Sequence, residues 1–239
     1  MSAKYKSIFV LTGAGISQES GIPTFRSSDG LWNNHKIEDV ATIEAYYKNQ
    51  DYLHEFYNQM RIDLIEKKPN PAHIALAKLE KEYQGAVHII TQNIDTLHEK
   101  AGTKNLYHMH GKINELVCLN CGHTYETWQS DVSSENICPN CNTQGMIKPN
   151  IVFFGEMPLY MDKIEKLLKT SDLFISIGTS GVVYPAAGFV QTAKYYGAKT
   201  IEINLEPFST NPHFDKHITG KAGQIVPELV DKLLNENNN

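Results

Sequence analysis

At 239 residues, with 41% apolar and 21% charged side chains, the chain can bury a full core and has the make-up of a globular protein. A net charge of −5, from 22 Lys and Arg against 27 Asp and Glu, argues against bulk attraction to nucleic acid or anionic membrane. No apolar run reaches the ~18 residues of a membrane span. The four cysteines fall in one 24-residue window, not across a disulfide scaffold, so a cytoplasmic protein is expected.

The first predicted element is a strand over Ser7–Leu11, apolar on both faces as a central parallel strand is. It runs into Gly13-Ala14-Gly15, where bare backbone N–H groups would let a pyrophosphate approach closely. Gln18 stands where a G-x-G-x-x-G fingerprint needs glycine, and no acidic residue closes a second strand about twenty positions on, so the dehydrogenase pattern is not met. Past Ser17, Gly21 and Pro23 break the chain before Phe25-Arg26, which offers a ring and a guanidinium to a sugar face and a phosphate. Residues 29–68 read as largely helical and rich in tyrosine.

Asn70-Pro71 signals an N-cap with proline at the first helical position, opening a helix through Ala72, Leu76 and Leu79. Further strands are expected at Val87–Thr91, Leu106–His108, Leu173–Ile177, Thr200–Ile203 and near His217–Thr219. A helix opened by Pro185 should run to Tyr196, and Gln224–Leu234 should close the chain before a polar tail at 236–239. Short apolar strands alternating with amphipathic stretches imply an α/β fold with a doubly wound, Rossmann-like parallel sheet.

Residues 111–149 break that alternation and carry Cys118-x2-Cys121-x16-Cys138-x2-Cys141. Two CxxC pairs at this spacing supply four thiolates for a tetrahedral Zn²⁺; with no position left for water, the metal is expected to be structural. From Gly111 to Asn150 there are two basic residues (Lys112, Lys148) against four acidic ones (Glu115, Glu126, Asp131, Glu135), the wrong sign for a ribbon that binds phosphates.

Gln92-Asn93-Ile94-Asp95 follows a strand, at the end where α/β sheets bind ligands. The Asp95 carboxylate can accept from a carboxamide NH₂ or cap the helix Thr96–Ala101, and both readings stay open. His110, just past the strand Leu106–His108, is a candidate general base at neutral pH; His108 lies on the same strand face and is not separated from it by pattern.

Gly13 to Arg26 resembles the signature of the sirtuins, GAG-[IV]-S-x-x-S-G-[IV]-P-x-F-R. Thr91-Gln92-Asn93-Ile94-Asp95, His110-Gly111, the four cysteines, Phe154-Gly155-Glu156, Gly178-Thr179-Ser180 and Ile203-Asn204 follow in the family's order, from about Ser7 to Ala222. The resemblance implies an NAD-dependent protein-lysine deacylase, most readily a deacetylase, that moves the acyl group to ADP-ribose, releases nicotinamide and consumes NAD. A desuccinylase or demalonylase of the same family, or a mono-ADP-ribosyltransferase on the same NAD site, is the alternative.

By the same resemblance His110 is the base and Asn93 the other catalytic residue; Asn93 and Asp95 hold the nicotinamide side with Ile94, while Gln92 meets the ribose. Gly13, Ala14, Gly15, Ser17, Phe25, Arg26, Gly178, Thr179 and Ser180 line the phosphates and ribose; Asn204, Leu205, Glu206 and Ala222 take the adenosine end. An NAD-binding domain of residues 1–28, 69–110 and 150–235 is expected, with a smaller helical plus zinc-ribbon domain of 29–68 and 111–149. Partners would be acylated lysine side chains of proteins, with no direct nucleic-acid or membrane binding, and the chain would be a monomer.

Family members that remove succinyl or malonyl groups carry Tyr-x-x-Arg on a helix. Here Tyr57-Asn58-Gln59-Met60 puts methionine in the arginine's place, with Arg61 one residue late. Tyr57 and Met60 are the candidate acyl pocket, suited to an uncharged chain.

Overall fold

The computed structural model describes residues 3–24, 31–32, 35–126, 130–206 and 211–237. Six strands form one wholly parallel sheet. In β1 (Ser7–Thr12) Ile8 and Val10 face one way and Phe9 and Leu11 the other, and each set enters a different core, which is why the strand is apolar throughout. After β1 the chain makes two 3₁₀ turns, Ala14–Ile16 and Gln18–Ser20, instead of entering a regular helix.

A short hairpin of β2 (Leu31–Trp32) and β3 (His35–Lys36) leads to α1 (Ile37–Val40), α2 (Ile43–Lys48) and the long α3 (Gln50–Ile65). Next comes α4 (Pro71–Glu82), capped as its sequence predicts: Asn70 Oδ1 accepts from Ala72 N–H at 3.0 Å, and Pro71 takes the first position. Then follow β4 (Ala86–Thr91), α5 (Leu97–Ala101) and β5 (Leu106–His108). The cysteine-bearing excursion is a separate antiparallel sheet of β6 (Gly111–Cys118), β7 (Thr124–Glu126) and β8 (Ile147–Ile151).

The chain returns through α6 (Met161–Thr170), β9 (Leu173–Ile177), α7 (Phe189–Tyr195), β10 (Lys199–Asn204), β11 (Lys216–Thr219) and α8 (Ala222–Asn237). The helix expected from Pro185 is divided, its first turn a 3₁₀ turn over Ala186–Gly188 closed by Gly188 N–H on Pro185 O at 3.0 Å. At the other end α8 runs into the expected tail, and it starts earlier than Gln224, where Glu19, from the distant 3₁₀ turn Gln18–Ser20, accepts the Gly223 N–H at 2.7 Å.

The sheet order is β11-β10-β9-β1-β4-β5. From β1 the chain winds outward to β5 and then returns to build β9, β10 and β11 on the other side, so the strand order reverses between β1 and β9. In an open parallel sheet that reversal makes the ligand crevice at the carboxyl ends of the strands. One core packs α4 and α8 on one face of the sheet, and a second packs α6 and α7 on the other. A third cluster joins α1–α3 to Ile113, Ile151 and Phe153 at the base of the antiparallel sheet. Among the described residues, no helix is long and apolar enough to cross a membrane.

Candidate active site

The loops after β1 and β9 meet at the reversal point, and their glycines are there for that contact. A Cβ on Gly13 would lie 2.8 Å from Gly178 O and one on Gly15 2.7 Å from Gly178 Cα, while Gly178 itself sits at φ +61° with Ile16 N 2.5 Å from its missing Cβ. Gly13 N–H donates to Ile177 O at 3.0 Å and Gly15 N–H to Gly178 O at 2.8 Å. The expectation of bare N–H groups awaiting a pyrophosphate at these two glycines is therefore corrected: both are spent on holding loop to loop, and the glycines serve close backbone packing.

Beyond β4 the polar residues form one connected network. Asn93 Nδ2 donates to Gly13 O at 3.1 Å and to Ser17 Oγ at 3.2 Å, and Ser17 Oγ–H donates to Asp95 Oδ2 at 2.8 Å. Asp95 Oδ1 accepts the Leu97 N–H at 3.0 Å, meeting the first N–H of α5 from the residue before the N-cap, which is Thr96 and not Asp95, and Asp95 also lines the cleft. Burial raises the Asp95 pKa, against the hydrogen bonds from Leu97 and Ser17. Gln92 Nε2 is buried with no hydrogen-bond partner among the described residues, and Gln92 also lines the cleft. A buried donor left unmet is costly, and Gln92 borders the cleft where a ligand would lie.

The two histidines left open by the sequence differ in their surroundings. His108 is 6% exposed and committed at both ring nitrogens, Nδ1 to Asn93 O at 3.0 Å and Nε2 to Glu99 Oε1 at 2.9 Å. Burial opposes ionisation of Glu99, yet the His108 hydrogen bond holds its carboxyl below the ordinary carboxylate value. His110 lines the cleft and makes one ring bond, Nδ1 to Gln92 O at 3.0 Å. Burial lowers its pKa, so the neutral ring is favoured, with its proton on Nδ1 and a lone pair at Nε2.

Thr179, Ser180, Asn204, Leu205, Glu206 and Ala222 line the same cleft. The Asn204 amide is occupied, donating from Nδ2 to Thr179 O at 2.9 Å and accepting Leu205 N–H at 3.0 Å, so it braces the strand ends. Phe25 and Arg26 lie outside the described residues.

These groups share one cleft of ≈ 2610 Å³ that continues along α3. Tyr57 and Met60 line it; Arg61 does not, being 4% exposed with its Nη2 on Asn58 Oδ1. The Tyr57 ring stacks on Phe153 with centroids 6.2 Å apart. Sequence reasoning missed what supports Phe153. The ammonium of Lys148, a buried residue, lies 4.0 Å from its ring centroid and 3.2 Å from Glu156 Oε2, and that oxygen also accepts the Phe153 N–H at 2.7 Å. A lysine beside proline carries no sign of burial in sequence; the charge partner eight residues on is the one available cue.

The cysteine sulfurs of residues 118, 121, 138 and 141 all lie within 4.8 Å of one another. The Cys118–Cys141 and Cys121–Cys138 sulfurs are 3.7 and 3.8 Å apart. A tetrahedral zinc with ~2.3 Å bonds to sulfur sets its ligands ~3.8 Å from each other, so the residues fit the ion. The two knuckles repeat one design: Gly122 N–H donates to Cys118 O and Asn142 N–H to Cys138 O, with Gly122 and Asn142 at positive φ. All four ligand positions come from the protein, so a bound zinc would have no open site for catalysis.

The sequence pattern of the Sir2 family matches residues 13–185. The NAD-dependent protein deacylase of Vibrio cholerae serotype O1 is 52% identical over 236 residues, covering 98% of this chain and 96% of the relative. A crystal structure of a Sir2 homolog–NAD complex superposes with a TM-score of 0.87 at 36% identity, covering 96% of this chain and 90% of the other. A structure of Sir2Af2 bound to a myristoylated histone peptide gives 0.73, also at 36% identity, over 96% and 92% of the two chains. With that match over most of its length, and with the reversal-point cleft and four-cysteine cluster in place, the chain belongs to the Sir2 family.

Proposed function

We propose that this protein is an NAD-dependent protein-lysine deacylase that removes acetyl or longer neutral acyl groups. The observation that carries the reading is that Gln92, whose Nε2 is buried and unmet, and His110, with one ring nitrogen uncommitted, border the same cleft as the interlocked glycine loops.

NAD, when bound, supplies the ribose carbon that accepts the acyl oxygen as nicotinamide departs. Asp95, steadied by Ser17 and Leu97, accepts from the nicotinamide carboxamide, and Asn93 keeps Ser17 in register. Gln92 Nε2 donates to a ribose hydroxyl, and His110 Nε2 takes the proton from the hydroxyl that then attacks the acyl group. Ala14, Thr179 and Ser180 border the phosphates, with Arg26 and Phe25 expected beside them, while Leu205, Glu206 and Ala222 receive the adenosine and Asn204 braces the strand ends. The division into a large unit (1–28, 69–110, 150–235) and a small one (29–68, 111–149) is part of this reading; two apolar clusters lie within the large unit and one within the cysteine module, while another joins α1–α3 to Ile151 and Phe153 across the division. A cytoplasmic monomer without direct nucleic-acid binding is in keeping with the net charge of −5.

The test is incubation with NAD and an acetyl-lysine peptide, with products read by mass spectrometry. Nicotinamide, free lysine peptide and O-acetyl-ADP-ribose in equal amounts support the reading. NADH absorbance would point to a dehydrogenase, and ADP-ribose retained on protein to a transferase.

A further inference from the structure

The cysteine knuckles stand apart from the reacting groups, yet one segment of that module reaches the cleft. Val132 is 3% exposed, and its side chain packs in a cluster with Leu116, Cys118, Cys138 and Ile147. The same residue lines the cleft that Tyr57 and Met60 line. Through one valine the metal-binding knuckles touch the wall of the cleft.

What holds this segment is α3. Asn58 Nδ2 donates to Val132 O at 2.9 Å, and Val132 N–H donates back to Asn58 Oδ1 at 3.0 Å. A side-chain amide that meets both backbone groups of one residue fixes its position and its direction, as a strand partner would. Arg61, one turn on, donates from Nη2 to the same Oδ1, and Ser134 N–H donates to Asp51 Oδ1 at 2.8 Å. One residue along a helix is ~100° of rotation: Met60 lines the cleft, and Arg61, next on α3, does not, its Nη2 lying on Asn58. The guanidinium that a carboxylated acyl group would need is engaged in holding the wall.

We propose that Asn58, backed by Arg61, latches the Val132 segment of the zinc module onto α3 and so fixes the wall that longer acyl chains touch. Asn58 is then a positioning residue for acyl-chain recognition, and the zinc knuckles act on that recognition at a distance through Val132. The proposal rests on the deacylase reading. An acetyl group is too short to run past Tyr57 and Met60, so it gains little from the latched wall. A decanoyl chain buries methylenes beyond them. If the wall is loose in the free enzyme, the cost of ordering it is taken from the binding of the long chain alone.

The experiment compares wild type and Asn58→Ala on acetyl- and decanoyl-lysine versions of one peptide, with kcat and KM read separately from nicotinamide release. Zinc content and hydrogen exchange of residues 130–136 are measured on the same samples. The expected result is wild-type zinc, faster exchange in that segment, a decanoyl KM raised about tenfold with kcat kept, and acetyl constants within about twofold. Asn58→Asp keeps an acceptor for Val132 N–H and loses the donor, so it should fall between. If Asn58→Ala does not fold, Val132→Ala shortens the contact with the cysteines while leaving the backbone bonds, and the same KM ratio is read. Equal losses on both peptides, or faster exchange with an unchanged ratio, overturn the latch. A wild type that releases nicotinamide with neither peptide overturns the deacylase reading itself, and the proposal with it.

Discussion

His110 donates from Nδ1 to the carbonyl oxygen of Gln92 at 3.0 Å, and because a carbonyl only accepts, this contact fixes the tautomer of the neutral ring. Burial lowers the pKa of His110, with the Gln92 bond opposing it only in part. The base form is thus kept to lower pH than in a free histidine. His110→Ala should cut kcat by roughly 10²–10⁴-fold while leaving NAD affinity and thermal stability near wild type. In wild type the acid limb of the kcat/KM profile should fall below the ordinary ~6.5 of histidine. A limb above that value, or full turnover in the alanine variant, would move the base elsewhere.

The four cysteines predict a folding role for zinc. Cys138→Ala removes one ligand and leaves Cys118 and Val132, its neighbours in the same cluster, around a void. Solubility, melting temperature and activity should fall together, and chelation of the wild type should reproduce the loss. A chelated protein that kept its melting temperature, with about one zinc per chain removed, would contradict a structural metal.

Three buried histidines predict how stability follows pH. Burial pushes His54 and His73 down to about 4 and His98 well below its ordinary value. His73 and His98 lie edge to face with ring centroids 4.8 Å apart, so charging one would burden the other. Above ~6.5 these rings are neutral in both states and contribute no pH dependence. As pH falls from there toward 4 the unfolded chain takes up protons that the folded chain refuses, so stability drops across that window. Urea unfolding at intervals from pH 8 to 4 should reveal the decline, and His73→Gln should lessen its slope by about one proton. A stability that stays level to pH 4 would mean that the buried rings accept charge.

Much of this was legible because it is local. The apolar run Ser7–Thr12, the Asn70-Pro71 cap and the paired CxxC spacing each state their own geometry, and strand ends followed by Gln92, Asn93 and Asp95 place polar groups at the crevice. The parts that were not legible depend on residues far apart in sequence. Nothing near Gly223 announces that Glu19 will cap it, and the task of Gly13 and Gly15 is visible only once Gly178 is packed on them. Asn204 and Asn93 look like ligand contacts by position, and only the fold reveals that their amides are engaged in bracing loops. Lys148 is charged and next to proline, which reads as surface until Glu156 and Phe153 close over it.

The proposed preference for neutral acyl groups turns on a single helical position. Tyr57 and Met60 line the cleft, while Arg61, one residue on, is buried with Nη2 on Asn58 and does not line it. A succinyl group would bring its second carboxylate beside an apolar thioether, where an anion loses hydration and gains no bidentate partner. Tyr57 keeps its place in the Tyr-x-x-Arg pattern, so the difference lies at Met60. On one peptide, kcat/KM for acetyl should exceed that for succinyl. Met60→Arg should restore a guanidinium beside Tyr57 and raise succinyl kcat/KM by about tenfold or more, the worth of a charge-assisted pair in a partly dry site. The same change should weaken decanoyl, since it puts a charge where the chain's methylenes lie. Arg61→Ala should leave the ratio of succinyl to acetyl where it was. If wild type prefers succinyl and that preference disappears in Arg61→Ala, then Arg61 reaches the cleft after all, and the neutral-acyl reading fails.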